Sequence, residues 1–206
     1  MSDQPIIVVA GCARSGTTLM MSILQAAGIP VVVDSNASME FGKVCSLPDE
    51  YAWMEDIRGK AVKIIDPKNW PPPAHLPIRW IWMHRNPLEQ AKSQLKFLRA
   101  TFPNGAPPID LHRLLASIAR DNIGVPTWLE NTPGWTVHRV AFENLLLAPH
   151  VVIEDLGRFL DRFFDVGELA KLIIDRPTSC APDLSIELAR IKKEDDSKVG
   201  EVTGGA

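Results

Sequence analysis

The chain is sparing with cysteine. Cys12, Cys45 and Cys180 are its only three, and no two of them stand at metal-ligand spacing, which excludes a cysteine-built zinc site and a disulfide framework. That usage suits a reducing, cytoplasmic compartment. Long apolar runs are also missing. Ile6 to Ala10 is too short for the apolar region of a signal peptide, and Asp3 stands where such a peptide carries positive charge. No stretch of about 18 apolar residues predicts a membrane span. Positive charge is not in excess: 22 Lys and Arg face 25 Asp and Glu, a net charge of −3, which argues against a nucleic-acid partner held through its phosphates. No internal repeat occurs, and no pattern fixes an oligomeric state.

What remains is an ordinary globular composition. The 206 residues are 46% hydrophobic and 23% charged, enough for one domain with a substantial core. Periodicity runs to residue 176 and then decays. The reading is a single domain over 1–176, followed by a C-terminal helix and tail over 177–206, disordered in part. Short β-branched or apolar runs are expected as strands at Ile6–Ala10, Ile29–Asp34, Ala61–Ile65, Arg79–Met83 and Trp135–Phe142. Helices are expected after Pro48 to Ile57, over Leu88–Ala100, over Ile109–Gly124 with a separate piece after Pro126, over Val151–Phe164 and over Glu168–Ile174. Leu111, Leu114, Leu115 and Ile118 read as a buried stripe. Strands alternating with helices predict an α/β fold of three layers, α/β/α, around a central, mainly parallel sheet.

Pro5 to Gly28 carries the chemistry. A buried strand runs into Gly11, a small-residue loop follows, and Leu19, Met20, Ile23 and Leu24 then recur at helical spacing up to Gly28, a C-cap residue. A strand, a tight loop and a helix N-terminus make an anion cradle of converging N–H groups. The spacing Gly11-x-x-x-x-Gly16-Thr17-Thr18 is that of a phosphate-binding loop (P-loop), but Thr17 replaces the lysine that grips a triphosphate. The nearest cation is Arg14, inside the loop. A second anion site follows the strand Arg79–Met83. Arg85 lies just past its end, and Ser93 comes eight residues later on the next helix. In a parallel sheet both arginines emerge at one edge, which suits a nucleotide with phosphates at both ends of its ribose.

These residues resemble a family. GCARSGTTLM is similar to the 5′-phosphosulfate loop of sulfotransferases that use 3′-phosphoadenylyl sulfate (PAPS), and HRNPLEQAKS resembles their 3′-phosphate motif. Val140 to Leu145 resembles a later segment of the family, with Phe142 in place of Tyr and Asn144 in place of Asp. The match runs with gaps from residue 5 to about 175 and looks most like small bacterial members. It implies a P-loop, sulfotransferase-like fold and transfer of a sulfuryl group from PAPS to a hydroxyl or amine, with 3′-phosphoadenosine 5′-phosphate (PAP) as product and no metal. The residues name no acceptor more narrowly than that.

The resemblance has departures. The family's Gly-rich basic C-terminal motif is absent. Ile65 stands where cytosolic members carry a catalytic His; other members use a Glu downstream of the first helix, and the resemblance implies Glu40, in SMEF, as the matching base, with Asp34 and Asp66 in reserve. The expected nucleotide set is Arg14, Ser15, Gly16, Thr17, Thr18, Arg85 and Ser93, with Arg14, Glu40 and Lys63 expected in catalysis. Two rival readings stand beside this one. A nucleotide kinase or triphosphatase would use Ala61 to Asp66 as a magnesium-holding strand. A catalytically silent module would keep the nucleotide cradle and act through partners.

Overall fold

A computed structural model describes residues 4–32, 48–65, 67–69, 71–101 and 109–181. Four strands, β1 (Ile6–Ala10), β2 (Ala61–Ile64), β3 (Ile78–His84) and β4 (Trp135–Ala141), form one sheet in the order β2-β1-β3-β4. Every pairing is parallel. The helices are α1 (Thr17–Ala26), α2 (Pro87–Thr101), α3 (Leu111–Glu130), α4 (Phe142–Leu147), α5 (Pro149–Leu160) and α6 (Val166–Ala170), and a 3₁₀ stretch spans Pro48–Ile57. This is the three-layer α/β/α architecture expected.

The central strand explains the layers. All five residues of β1 are buried, and successive side chains point to opposite faces. Ile7 and Val9 join one core with Met20, Leu24, Ile153, Leu156 and Leu169, from α1, α5 and α6. Ile6, Val8 and Ala10 join the other, with Met54, Ile57, Val125 and Leu129. On that second face Trp80, Trp128 and Trp135 pack together, with ring centroids 5.2 Å apart for Trp80–Trp135 and 5.7 Å for Trp128–Trp135. The Trp135 Nε1–H donates to the Leu76 carbonyl.

Several boundaries differ from expectation. Of the strand expected at Ile29–Asp34, the described part makes a single parallel bridge, Val31 to Ala61, on the outer edge of β2. Val33 and Asp34 lie outside the described residues. Helix α3 starts at Leu111, where the Asp110 side chain accepts from the His112 N–H, and it runs through Pro126 without a break. The missing proline N–H removes one helical bond, but Val125, Pro126 and Leu129 are all buried and packing keeps the helix continuous. The stripe expected over Leu111, Leu114, Leu115 and Ile118 is buried only at Ile118. Strand β4 stops at Ala141, so Phe142 opens α4. Helix α5 ends at Leu160 because Asp161 turns left-handed, at φ 53°. The last helix is shorter than expected and capped by Asp165, which accepts from the Glu168 N–H. Gly28 behaves as expected: at φ 79° it closes α1, with Ile29 N–H bonded to the Leu24 carbonyl.

Candidate functional site

The site forms at the carboxyl edge of the sheet, where β1, β2 and β3 release their chains side by side. The loop from Gly11 to Gly16 is built by close approach. A Cβ on Gly11 would lie 2.3 Å from the Met83 carbonyl oxygen and 2.5 Å from Ser15 Oγ. A Cβ on Gly16 would lie 2.5 Å from the Phe142 ring, and Gly16 caps α1 at φ 100°. Glycine is therefore required at both positions, at Gly16 by backbone conformation as well as by space. Arg14 adopts the left-handed region at φ 70°, a conformation a non-glycine residue holds only under constraint.

The constraint comes from α2. Arg14 Nε donates to Ser93 Oγ at 3.2 Å, and the guanidinium stacks over the Phe97 ring at 5.3 Å. One turn earlier, Gln90 Nε2 donates to the carbonyls of Cys12 at 3.0 Å and Ala13 at 2.9 Å. From β2, Lys63 Nζ donates to Thr18 Oγ1 at 3.2 Å, although Lys63 is only 3% exposed. Six of the expected residues, Arg14, Ser15, Gly16, Thr17, Thr18 and Lys63, thus belong to one loop, the start of α1 and the strand beside it, and Ser93 reaches Arg14 from the second motif.

Arg85 stands where β3 hands over to α2, and it is 5% exposed. Its Nη2 donates to the Thr178 carbonyl at 2.9 Å, and its guanidinium lies 4.9 Å from the centre of the Phe142 ring. Arg176 lies over the same ring, also at 4.9 Å. Burial weakens the hold of Arg85 on its proton, and the nearby Arg14 charge acts in the same direction; Cys180, Glu143 and Glu89 oppose them. The chain beyond α6 crosses α2: the Cys180 N–H donates to Glu89 Oε2, and Lys96 donates to the Ala181 carbonyl. Lys92 and that Cys180 N–H hold the Glu89 carboxyl below its usual range. Glu143 accepts from the Asn86 N–H, fixing the turn into α2.

Buried polar atoms without partners concentrate here. Ser15 Oγ, Arg85 Nε, Gln90 Oε1 and Asn122 Oδ1 are all buried and have no hydrogen-bond partner among the described residues. Such groups are expensive to leave unsatisfied, and an anion would satisfy the hydroxyl and the guanidinium. Glu40, Asp34 and Asp66 lie outside the described residues. Sequence reasoning missed Gln90, the Phe142 ring between two arginines, and the Thr178 carbonyl. For Gln90 a signal existed: a polar residue three positions before Ser93 lies on the same helix face. Among the described residues no group of His, Cys, Asp or Glu is arranged to hold a metal, and no helix is long and apolar enough to cross a membrane.

No protein-family model and no curated protein matches the sequence. Solved structures do share its shape. The mouse sulfotransferase SULT7A1 complexed with PAP superposes with a TM-score of 0.59 at 17% identity, over 93% of this chain and 67% of that one. A sulfotransferase from Alicyclobacillus acidocaldarius gives a TM-score of 0.51 at 18% identity, over 98% of this chain and 96% of its own. Sulfotransferase STF9 from Mycobacterium avium gives 0.54 at 11% identity, over 84% of this chain and 67% of its own. The chain therefore has the sulfotransferase fold.

Proposed function

We propose that this protein is a PAPS-dependent sulfotransferase, acting on a hydroxyl or amine acceptor. Two unpartnered buried donors, Ser15 Oγ and Arg85 Nε, at the edge where Arg14 and Lys63 also gather, carry the reading. The site residues divide by end of the nucleotide. Gly16, Thr17 and Thr18 would hold the 5′-phosphate with backbone N–H groups, joined by the Ser15, Thr17 and Thr18 hydroxyls, and Arg85 with the α2 helix start would hold the 3′-phosphate. The donor supplies a sulfuryl group already activated by its bond to phosphate. Transfer forms a bond from the acceptor oxygen or nitrogen to sulfur and breaks the bond from sulfur to the 5′-phosphate oxygen. Negative charge grows on that oxygen, and Arg14 and Lys63 would stabilise it. Glu40 would take the acceptor's proton; a Glu40→Gln variant with intact turnover would remove it from that role.

The same contacts disfavour the triphosphatase reading. In that class the hydroxyl at the position of Thr18 binds magnesium. Here the Lys63 ammonium donates to Thr18 Oγ1 at 3.2 Å, and a second cation at that oxygen meets direct repulsion. The test is nucleotide-dependent melting. PAP is expected to raise the melting temperature without magnesium, by an increment that grows with the logarithm of its concentration. Stabilisation by ATP only with magnesium, and none by PAP, would replace this proposal with the kinase reading. PAP binding without transfer to any acceptor of a broad panel would leave the silent module.

A further inference from the structure

We infer that Gln90 is a positioning residue that sets the peptide planes of the 11–16 loop and so aims its N–H groups at the anion; this rests on the nucleotide reading of the same site. Gln90 sits in the first turn of α2 and is completely buried. Its NH₂ group has two hydrogens, and the two acceptors it reaches are successive loop carbonyls, Cys12 at 3.0 Å and Ala13 at 2.9 Å. The amide orientation follows from those partners, because the opposite orientation would put oxygen against oxygen. That choice leaves Gln90 Oε1 buried without a partner. A side chain serving only to fill the core would not need an amide here, and methionine would pack with no orphaned acceptor.

The consequence is geometric. The chain has no cis peptide bond among its described residues, and in a trans peptide the C=O and the following N–H point in opposite directions. Fixing the Cys12 and Ala13 carbonyls against α2 turns the N–H groups of Ala13 and Arg14 away from it. The Cys12 carbonyl also accepts from the Ser15 N–H at 3.1 Å, so both of its lone pairs are used and that peptide plane is held from two sides. The next residue, Arg14, is the one in the left-handed conformation, and its side chain runs back to Ser93 and Phe97 on the same helix. Helix α2 thus fixes the loop's backbone through Gln90 and its guanidinium through Ser93. The helix that follows the proposed 3′-phosphate residue Arg85 thereby organises the proposed 5′-phosphate loop.

The test compares wild type with Gln90→Met and Gln90→Glu, neither of which donates two bonds to the carbonyls. Amide hydrogen exchange is measured on the unliganded proteins, and affinity is measured for PAP and for adenosine 3′-monophosphate, which lacks the 5′-phosphate. Loss of one or two buried hydrogen bonds predicts exchange about tenfold faster over residues 13–18, with protection in α1, α3 and the strands unchanged. It also predicts that the advantage of PAP over adenosine 3′-monophosphate shrinks about tenfold in both variants. Unchanged loop exchange and an unchanged advantage would overturn the assignment. So would a uniform loss of protection with both nucleotides weakened alike, which marks a structural role. If wild type binds neither nucleotide while both variants loosen the loop selectively, Gln90 keeps its role and the PAPS reading fails.

Discussion

The two ends of the parallel sheet treat their arginines differently. At the amino edge, Arg79 is engaged at both terminal nitrogens: Nη1 donates to the Phe159 carbonyl at 3.0 Å and Nη2 pairs with Asp161 at 2.5 Å. A cavity of about 330 Å³ opens beside it, lined by Gln4, Ile7, Leu160 and Arg162 among others, yet the buried orphan atoms do not gather there. At the carboxyl edge, Arg85 is more deeply buried and, among the described residues, forms no ion pair with a carboxylate; it meets the Thr178 carbonyl and an aromatic ring. Glu143 and Glu89 act on it only through space, and burying a guanidinium without a direct ion pair is costly unless something charged completes the site. Arg79 closes a structure, and Arg85 leaves a valence open. The loops that release the strands' carboxyl ends are where parallel sheets place ligands.

The sharpest way to break this contrast is to neutralise each arginine in turn. Arg85→Gln is expected to weaken PAP binding about 10- to 100-fold, the loss of one or more charge-assisted bonds at roughly 1.5–3 kcal/mol each. Arg79→Gln is expected to leave PAP affinity within a factor of about two and to lower the melting temperature by a few degrees at most, because its ion pair with a largely exposed Asp161 is solvent-screened. Isothermal titration and thermal melts on both variants check this. Equal losses of affinity would mean that the two edges do not differ as the contacts suggest.

A smaller effect separates two glycines. Gly16→Ala forces a Cβ against the Phe142 ring at a φ of 100° and is expected to cost about 1–3 kcal/mol of stability. Gly124→Ala, inside α3 with nothing within 4 Å of its Cβ, is expected to stabilise by about 0.5–1 kcal/mol. Urea denaturation of the pair reads both signs, and a stabilising Gly16→Ala would refute the cradle geometry.

These contrasts also mark what was legible in the sequence. The strand, the Gly11-to-Thr18 loop and α1 were readable because they are consecutive and their hydrogen bonds are local. The strand alternation set which side chains enter which core, so the layers followed. The sequence motif leads to the expectation of Ser93 at an anion site, but not of its bond to Arg14, 79 positions away. The Thr178 carbonyl beneath Arg85 carries no sequence signal at all, since every residue has a carbonyl. Phe142 was placed at a strand end, whereas β4 stops one residue earlier and its ring becomes the surface on which Gly16, Arg85 and Arg176 converge. Boundaries set by tertiary packing, as at Pro126, override the local stop signal for the same reason: burial on the far side outweighs one lost helical bond.

The mildest test concerns the edge histidine. His84, the last residue of β3, is pushed below its ordinary value of 6.5 chiefly by burial, with Arg139 reinforcing and Glu143 opposing. His138, stacked on Phe159, is lowered by burial too, with Asp155 opposing. Both side chains are therefore neutral in the folded protein at a pH where the unfolded chain already takes up protons. The unfolded state binds more protons in that window, so stability is full above about pH 6.5 and declines as the pH falls toward the lower folded-state values. Melting temperatures between about pH 8 and pH 5 should fall on the acid side. His84→Gln should flatten part of that slope while leaving His138 to supply the rest. Because Glu143 resists the shift at His84 and also fixes the turn at Asn86, Glu143→Gln should steepen the slope. The same substitution leaves an amide oxygen that still accepts from the Asn86 N–H, so the turn itself should persist. A flat profile in wild type would mean that neither histidine is lowered in the fold, so that His84 takes up its proton at its ordinary value and adds a cation beside Arg85 only below about pH 6.5.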